Sequence, residues 1–183
     1  MSNWISGNRY LTESEMKNNA DCVFVYGRKK GWSKNAMSAM CGNMQAESGI
    51  NPGIWEGLTP FSGGYGLVQW TPYTKYSNWA GVPWENQGDR ELDRIVYEAE
   101  NGLQWSRNTE VGLDPPITLA QFLVSTLPVA TLSNYWLWFY EHPADPGTAT
   151  QNTRAAYSAA WYDYFPDIGN VPAWLLFKFK GRC

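Results

Sequence analysis

The sequence predicts an α+β fold that is predominantly α-helical, with one small β hairpin. Helix-capping signals followed by apolar residues at helical spacing recur along most of the chain. A single stretch over residues 52–70, rich in Gly, Pro, Ser, Thr and aromatic residues, lacks that period and reads as loop and hairpin. The 183 residues are 44% apolar and 17% charged, which describes a globular chain with a sizeable core and excludes a disordered, highly charged one. Such a length suits one well-filled domain with at most a small appendage.

Taken in order, the first helix is announced by Thr12-Glu13-Ser14-Glu15, a capping box, with Met16, Ala20, Val23 and Phe24 behind it, and it stops before Gly31. Ser33 caps a second helix whose stripe of Ala36, Met37, Met40, Cys41 and Met44 is core packing. That helix runs out at Glu47-Ser48-Gly49, because Gly49 suits a left-handed position just past a helix and Asn51-Pro52 cannot continue one. Residues 65–70 are short, aromatic and partly alternating, as a strand would be. Thr71-Pro72 pairs a cap with a first-turn proline and opens a short helix through Tyr76 to Ala80. Asp89 opens another carrying Leu92, Ile95, Val96, Ala99 and Leu103, with Arg90, Glu91, Arg94 and Glu98 expected on a solvated face. Thr118 caps a helix after the Pro115-Pro116 break. The apolar segment 132–140 reads as a buried helix ended by His142-Pro143, and a last helix over 154–164 packs through Ala155 and Ala159. Residues 166–183 differ in pattern and read as a tail, short strand or linker, leaving 1–165 as the domain.

A formal charge of -3 and a pI near 5.2 supply no broad basic surface, so neither nucleic acid nor an anionic membrane is an expected partner. No run of about 18 apolar residues occurs, and residues 1–10 lack a charged-then-apolar leader pattern, so neither membrane insertion nor a signal peptide is expected. Three scattered cysteines (Cys22, Cys41, Cys183) and one histidine (His142) cannot furnish a four-ligand zinc site, and no metal or cofactor is expected. The distinctive quantity is aromatic: 11 Trp and 11 Tyr against 7 Phe. Most should be core, and a surplus remains for sugar-stacking platforms in a groove.

One segment carries the chemistry: Gly42-Asn43-Met44-Gln45-Ala46-Glu47-Ser48-Gly49-Ile50-Asn51-Pro52, followed by Gly64-Tyr65-Gly66-Leu67-Val68-Gln69-Trp70-Thr71-Pro72. It sets one carboxylate at a helix end, then a loop, then an aromatic and a glutamine flanked by glycines. A Glu at a helix C-terminus faces the negative end of the dipole, and contact with apolar groups disfavours its charged form further. A carboxyl kept protonated in this way can protonate the oxygen of a glycosidic leaving group. The same spacing also suits a surface Glu in a last helical turn.

These motifs, with the later Tyr140-Glu141-x-Pro143-Ala144-x-Pro146, closely resemble the phage tail lysozyme family, a branch of the lysozyme-like superfamily related to goose-type lysozymes and soluble lytic transglycosylases. The resemblance covers about residues 9–165. It implies a lysozyme-like fold whose β hairpin lines the substrate groove, and a virion-associated tail protein that cleaves the β-1,4 bond between N-acetylmuramic acid and N-acetylglucosamine during genome delivery. Bacterial peptidoglycan and other tail proteins are the implied partners. Glu47 matches the family's catalytic glutamate, and Ser48, Gly64, Tyr65, Gly66, Gln69 and Tyr140 fall at substrate-binding positions. Ser48 also suits a cap, the glycines a turn, Gln69 a backbone partner and Tyr140 the core.

Hydrolytic glycosidases use a second carboxylate about 5–9.5 Å from the first. Glu56, Glu141 and Asp145 are the candidates, Glu141 being equally suited to pair with Arg154. Lytic transglycosylases need one carboxyl only, because the C6 hydroxyl of the substrate attacks the anomeric carbon. An endolysin used at lysis, a cysteine peptidase or amidase built on Cys41 and His142, and a non-catalytic tail component are the alternatives in other classes.

Overall fold

The computed structural model describes residues 3–81, 88–143 and 147–167. Among these the chain is predominantly helical: α1 (Glu13–Lys30), α2 (Lys34–Ser48), α3 (Thr74–Ala80), α4 (Gly88–Asn101), α5 (Leu119–Val124), α6 (Val129–Trp136) and α7 (Thr148–Tyr164). No helix among the described residues is long and apolar enough to cross a membrane. Two of the predicted caps form as reciprocal boxes. The Thr12 amide donates to Glu15 at 2.8 Å while the Glu15 amide donates to Thr12 Oγ1 at 3.3 Å. At α5 the same pairing joins Thr118 and Gln121. The Arg9 guanidinium, bonded to Glu15, and then the Thr12 amide hold the Glu15 carboxyl down to about 2. Ser33 Oγ accepts the Ala36 amide at 3.0 Å and opens α2.

Several expectations are corrected. First, α3 begins at Thr74 rather than Thr71, whose hydroxyl instead donates back to Gln69 O at 2.9 Å and so serves the preceding turn. Second, the strand expected over 65–70 is a tight turn. Tyr65 and Trp70 pair across it by an isolated antiparallel bridge, and Gly66 (φ 79°) and Gln69 (φ 50°) reverse the chain between them. A further bridge joins Trp55 to Tyr65. Third, the face of α4 that carries Glu91 and Glu98 is buried, at 0% and 1% exposure, with Leu92 and Ile95 between them. Charge alone pointed these carboxyls outward; hydrogen-bond partners described below hold them inside. Fourth, Leu103 lies beyond the end of α4 and is 41% exposed. Helix α7 also starts earlier than Arg154, and residues 168–183 of the tail lie outside the described residues.

The described residues form two compact units. The first takes in 3–26, 44–81 and 88–95. Its core combines Phe24, Met44, Ile50, Leu67, Leu92 and Ile95 with an aromatic group in which Tyr65 lies 4.6 Å from Trp55 and 6.0 Å from Tyr76, and Trp70 stacks on Tyr76 at 5.0 Å. Asn19 and Asn51, both fully buried, tie the N-terminal segment to this core. Asn19 donates to the carbonyls of Ile5 and Ile50, and Asn51 to those of Gly7 and Arg9.

The second unit takes in 27–43, 96–143 and 147–167. Helix α6 passes directly into a π-helical turn, Leu137–Glu141, which His142 ends in the left-handed region, and α6 packs on α7. Trp136 and Tyr140 stack at 4.1 Å, with Phe122 beside Trp136 at 5.4 Å. Cys41 has no solvent exposure, so a thiolate there could not reach a peptide bond, which removes the Cys41–His142 peptidase. Among the described residues no tryptophan is exposed, whereas Tyr10, Tyr97 and Tyr164 are.

Small residues set the approach of α7 to α2 in this unit. A Cβ on Gly42 would lie 2.1 Å from Ser158 Oγ and 2.5 Å from the Ser158 backbone nitrogen. Gly42→Ala would gain about 1 kcal/mol of helix propensity and lose about 1–3 kcal/mol to overpacking against backbone that cannot move alone. Net destabilisation is therefore expected, seen as a lower denaturation midpoint in urea; a higher midpoint would contradict the close contact.

Candidate active site

The last turn of α2 carries Glu47, half-buried, and Ser48, 3% exposed. Gly49 and Ile50 follow at φ 63° and 53°. A β-branched residue in that region is strained, and Ile50 tolerates it because its side chain is wholly buried in the first unit. The helix end is thus turned sharply, and the chain is caught again at Asn51, whose amide donates to Ser48 Oγ at 3.3 Å.

Ser48 does more than cap. Its hydroxyl lies 3.0 Å from Met44 O, one turn back, and 2.9 Å from Leu67 O, so its single proton links the end of α2 to the turn over 65–70. Leu67 is held at its other polar group as well: its amide donates to Glu91 Oε2 at 2.7 Å. Sequence reasoning missed Glu91, which looked like one more charge on a helix face. The signal was its place three residues after Gly88 and one before Leu92, on the face that the apolar period buries. Burial pushes the Glu91 carboxyl well above its ordinary range, and the Leu67 amide, which favours the charged form, only partly opposes this. Its Oε1 has no hydrogen-bond partner among the described residues.

The glycines serve this packing. A Cβ on Gly66 would sit 2.6 Å from Glu91 Oε2, and one on Gly64 would sit 2.9 Å from Thr71 Oγ1 and 3.0 Å from Gln69 O. The close approach expected of substrate is made by the protein's own groups. Gln69 Nε2 donates to Gly66 O at 2.9 Å and reaches Ile54 O at 3.3 Å, closing its own turn. Tyr65, expected to meet substrate, is 2% exposed and supports the turn from within the aromatic group. Tyr140, in the second unit, is 1% exposed and donates its hydroxyl proton to Glu98, which is a core role.

The three candidates for a second carboxylate separate clearly. The Glu141 side chain, in the second unit and only 4% exposed, lies 3.0 Å from Arg154 Nη1 and accepts the Trp136 indole N–H at 3.0 Å, so it is the structural partner of Arg154. Arg154 also donates to Asn43 O at 2.8 Å. Glu56 folds back onto its own loop, accepting the Gly64 amide at 2.7 Å. Asp145 lies outside the described residues. No group of three or more possible metal ligands occurs among the described residues.

The family model described as phage tail lysozyme matches residues 18–165. Morphogenesis protein 1 of Bacillus phage B103 is 42% identical over 171 residues, which cover 91% of this chain and 44% of that protein. The chain therefore spans less than half the length of this relative.

The raised Glu91 carboxyl has a consequence for stability. Above about pH 4.3, the ordinary glutamate value, the unfolded chain releases this proton while the folded chain keeps it, so folding loses stability as pH rises toward the folded value. Gln in place of Glu91 keeps an acceptor for the Leu67 amide and removes the titration. Melting temperatures of Glu91→Gln should match the wild type near pH 4 and exceed it increasingly as the pH is raised from there. A difference that stays constant as the pH rises would refute the assignment.

Proposed function

The chain belongs to the phage tail lysozyme family, and on that premise we propose that it is a peptidoglycan glycosidase in which Glu47 is the general acid. The observation that carries the reading is the junction just described: the half-buried Glu47 stands beside Ser48, and Ser48 is bonded to the turn that presents Gln69. The bond cut is the β-1,4 linkage between N-acetylmuramic acid and N-acetylglucosamine. The protein works from the virion tail, alongside other tail proteins, to breach the host wall for genome delivery. Residues 1–165 are the glycosidase domain, and 166–183 a tail or linker.

Glu47 gives its proton to the glycosidic oxygen as the C1–O bond of the muramic acid breaks, and positive charge develops at C1. Gln69, whose Nε2 is committed to Gly66 O, offers its Oε1 to a sugar hydroxyl or amide. The turn over 65–70, with its isolated bridges, forms one wall of the groove. Ser48, Gly64 and Gly66 act by shaping that wall.

Two nucleophiles can then close the reaction. Water attacking C1 gives a free reducing end and needs a base to accept its proton. Attack by the C6 hydroxyl of the same muramic acid gives a 1,6-anhydro product, with Glu47, now a carboxylate, taking the hydroxyl proton. The engagement of Glu141 with Arg154 and of Glu56 with the Gly64 amide favours the second course, because neither carboxylate is disposed to activate water.

Digestion of purified peptidoglycan, with fragments identified by mass spectrometry, tests both levels. Glu47→Gln should slow fragment release by a factor of about 10²–10⁴ without loss of fold; release at the wild-type rate would overturn the assignment. Fragments lighter by one water would establish the transglycosylase course, whereas reducing-end fragments would establish hydrolysis.

A further inference from the structure

We infer that Glu91 is a positioning residue for this cleavage: with Ser48 it grips the two polar groups of Leu67 and so sets the Gln69 turn in register with the helix end that carries Glu47. The inference rests on the glycosidase reading above for its link to catalysis, while the grip itself stands on geometry.

Leu67 lies in a turn and is completely buried, so neither its N–H nor its C=O can be left to water. Among the described residues no strand runs beside it to take them. Its carbonyl accepts from Ser48 Oγ at 2.9 Å and its amide donates to Glu91 Oε2 at 2.7 Å, so one residue of the turn is pinned from α2 on one side and from α4 on the other. The turn is built to receive the carboxyl. Gly66 sits at φ 79° with Glu91 where a side chain would begin, and any larger residue would drive the carboxyl off the Leu67 amide.

The grip also works against strain. Ile50 and Gln69, at φ 53° and 50°, stand on either side of the Ser48–Leu67 contact, and neither residue type favours that region. Releasing Leu67 would let the turn relax and carry Gln69 away from its place relative to Glu47. An apolar side chain of similar size could fill the space of Glu91. It could not hold the amide, so packing alone does not account for a fully buried carboxyl here.

The test combines amide exchange with kinetics on the full chain. By NMR, the Leu67 amide of the wild type should exchange slowly although it lies in a turn. It should remain slow in Glu91→Gln, which keeps the acceptor, and become fast in Glu91→Met, which does not. On purified peptidoglycan, Glu91→Met should lose kcat by about tenfold to a hundredfold with little change in KM, the mark of misplaced groups rather than lost binding, and Glu91→Gln should restore most of it. Fast exchange of Leu67 in the wild type would overturn the grip whether or not Glu91→Met folds. Wild-type kcat in folded Glu91→Met, or equal losses in Met and Gln, would overturn the positioning role. Glu47→Gln run alongside separates the two ideas: full activity there removes the glycosidase reading and leaves the exchange data to decide the grip.

Discussion

Buried backbone must find partners inside the protein, and in the first unit this requirement falls on Leu67. The residue lies in a turn, so no strand or helix supplies the partners automatically. Side chains from α2 and α4 supply them instead, Ser48 for the carbonyl and Glu91 for the amide. Each bond would contribute only about 1 kcal/mol in an exposed setting, but leaving either group unsatisfied in the interior would cost about 1–3 kcal/mol. Much else follows from that pair. Gly66 must lack a side chain to admit Glu91, Ser48 must be small and hydroxylated, and the chain after Ser48 must turn sharply through Gly49 and Ile50.

The second unit meets the same constraint with a different set of groups. Arg154 is 8% exposed, and its guanidinium is divided between the Glu141 carboxylate and the Asn43 carbonyl. Ser158 bonds Ser133 at 3.0 Å, and Asn43 Nδ2 reaches Ser133 O at 3.2 Å, so α2, α6 and α7 are joined through small polar side chains as well as apolar packing. Glu98 is held inside by the Tyr140 hydroxyl. Removing one member of such a network strands its partner in a low dielectric, which makes these buried groups costly to change singly.

This economy bears on function. Residues that look functional by type and spacing are often those that satisfy a backbone group. Gly64, Gly66, Tyr65, Tyr140 and Glu141 each have an internal partner or an internal neighbour in close contact, and Gln69 Nε2 likewise bonds Gly66 O within its own turn.

The positions of the helices were legible from the sequence because helix starts and stops are local events. Thr12, Ser33 and Thr118 cap where their spacing said they would, and Gly49 follows the end of α2. The motif around Glu47 was legible for the same reason, since a helix end followed by glycine and proline needs no distant partner to be recognised, and the family followed from it. The fate of the carboxyls was legible only in part. Glu91 and Glu98 read as surface charges and are buried, whereas Glu141 read equally as an active-site candidate and as a partner of Arg154, and is the latter. The strand expected over 65–70 became a turn because Gly66 and Gln69 take left-handed conformations, which glycine accepts freely and which at Gln69 are held by its bonds to Gly66 and Ile54. Periodicity and capping are set by neighbours along the chain and can be read from it. Whether a polar group is buried depends on partners far away in sequence, Leu67 for Glu91, Tyr140 for Glu98 and Arg154 for Glu141, and only the tertiary structure brings them together.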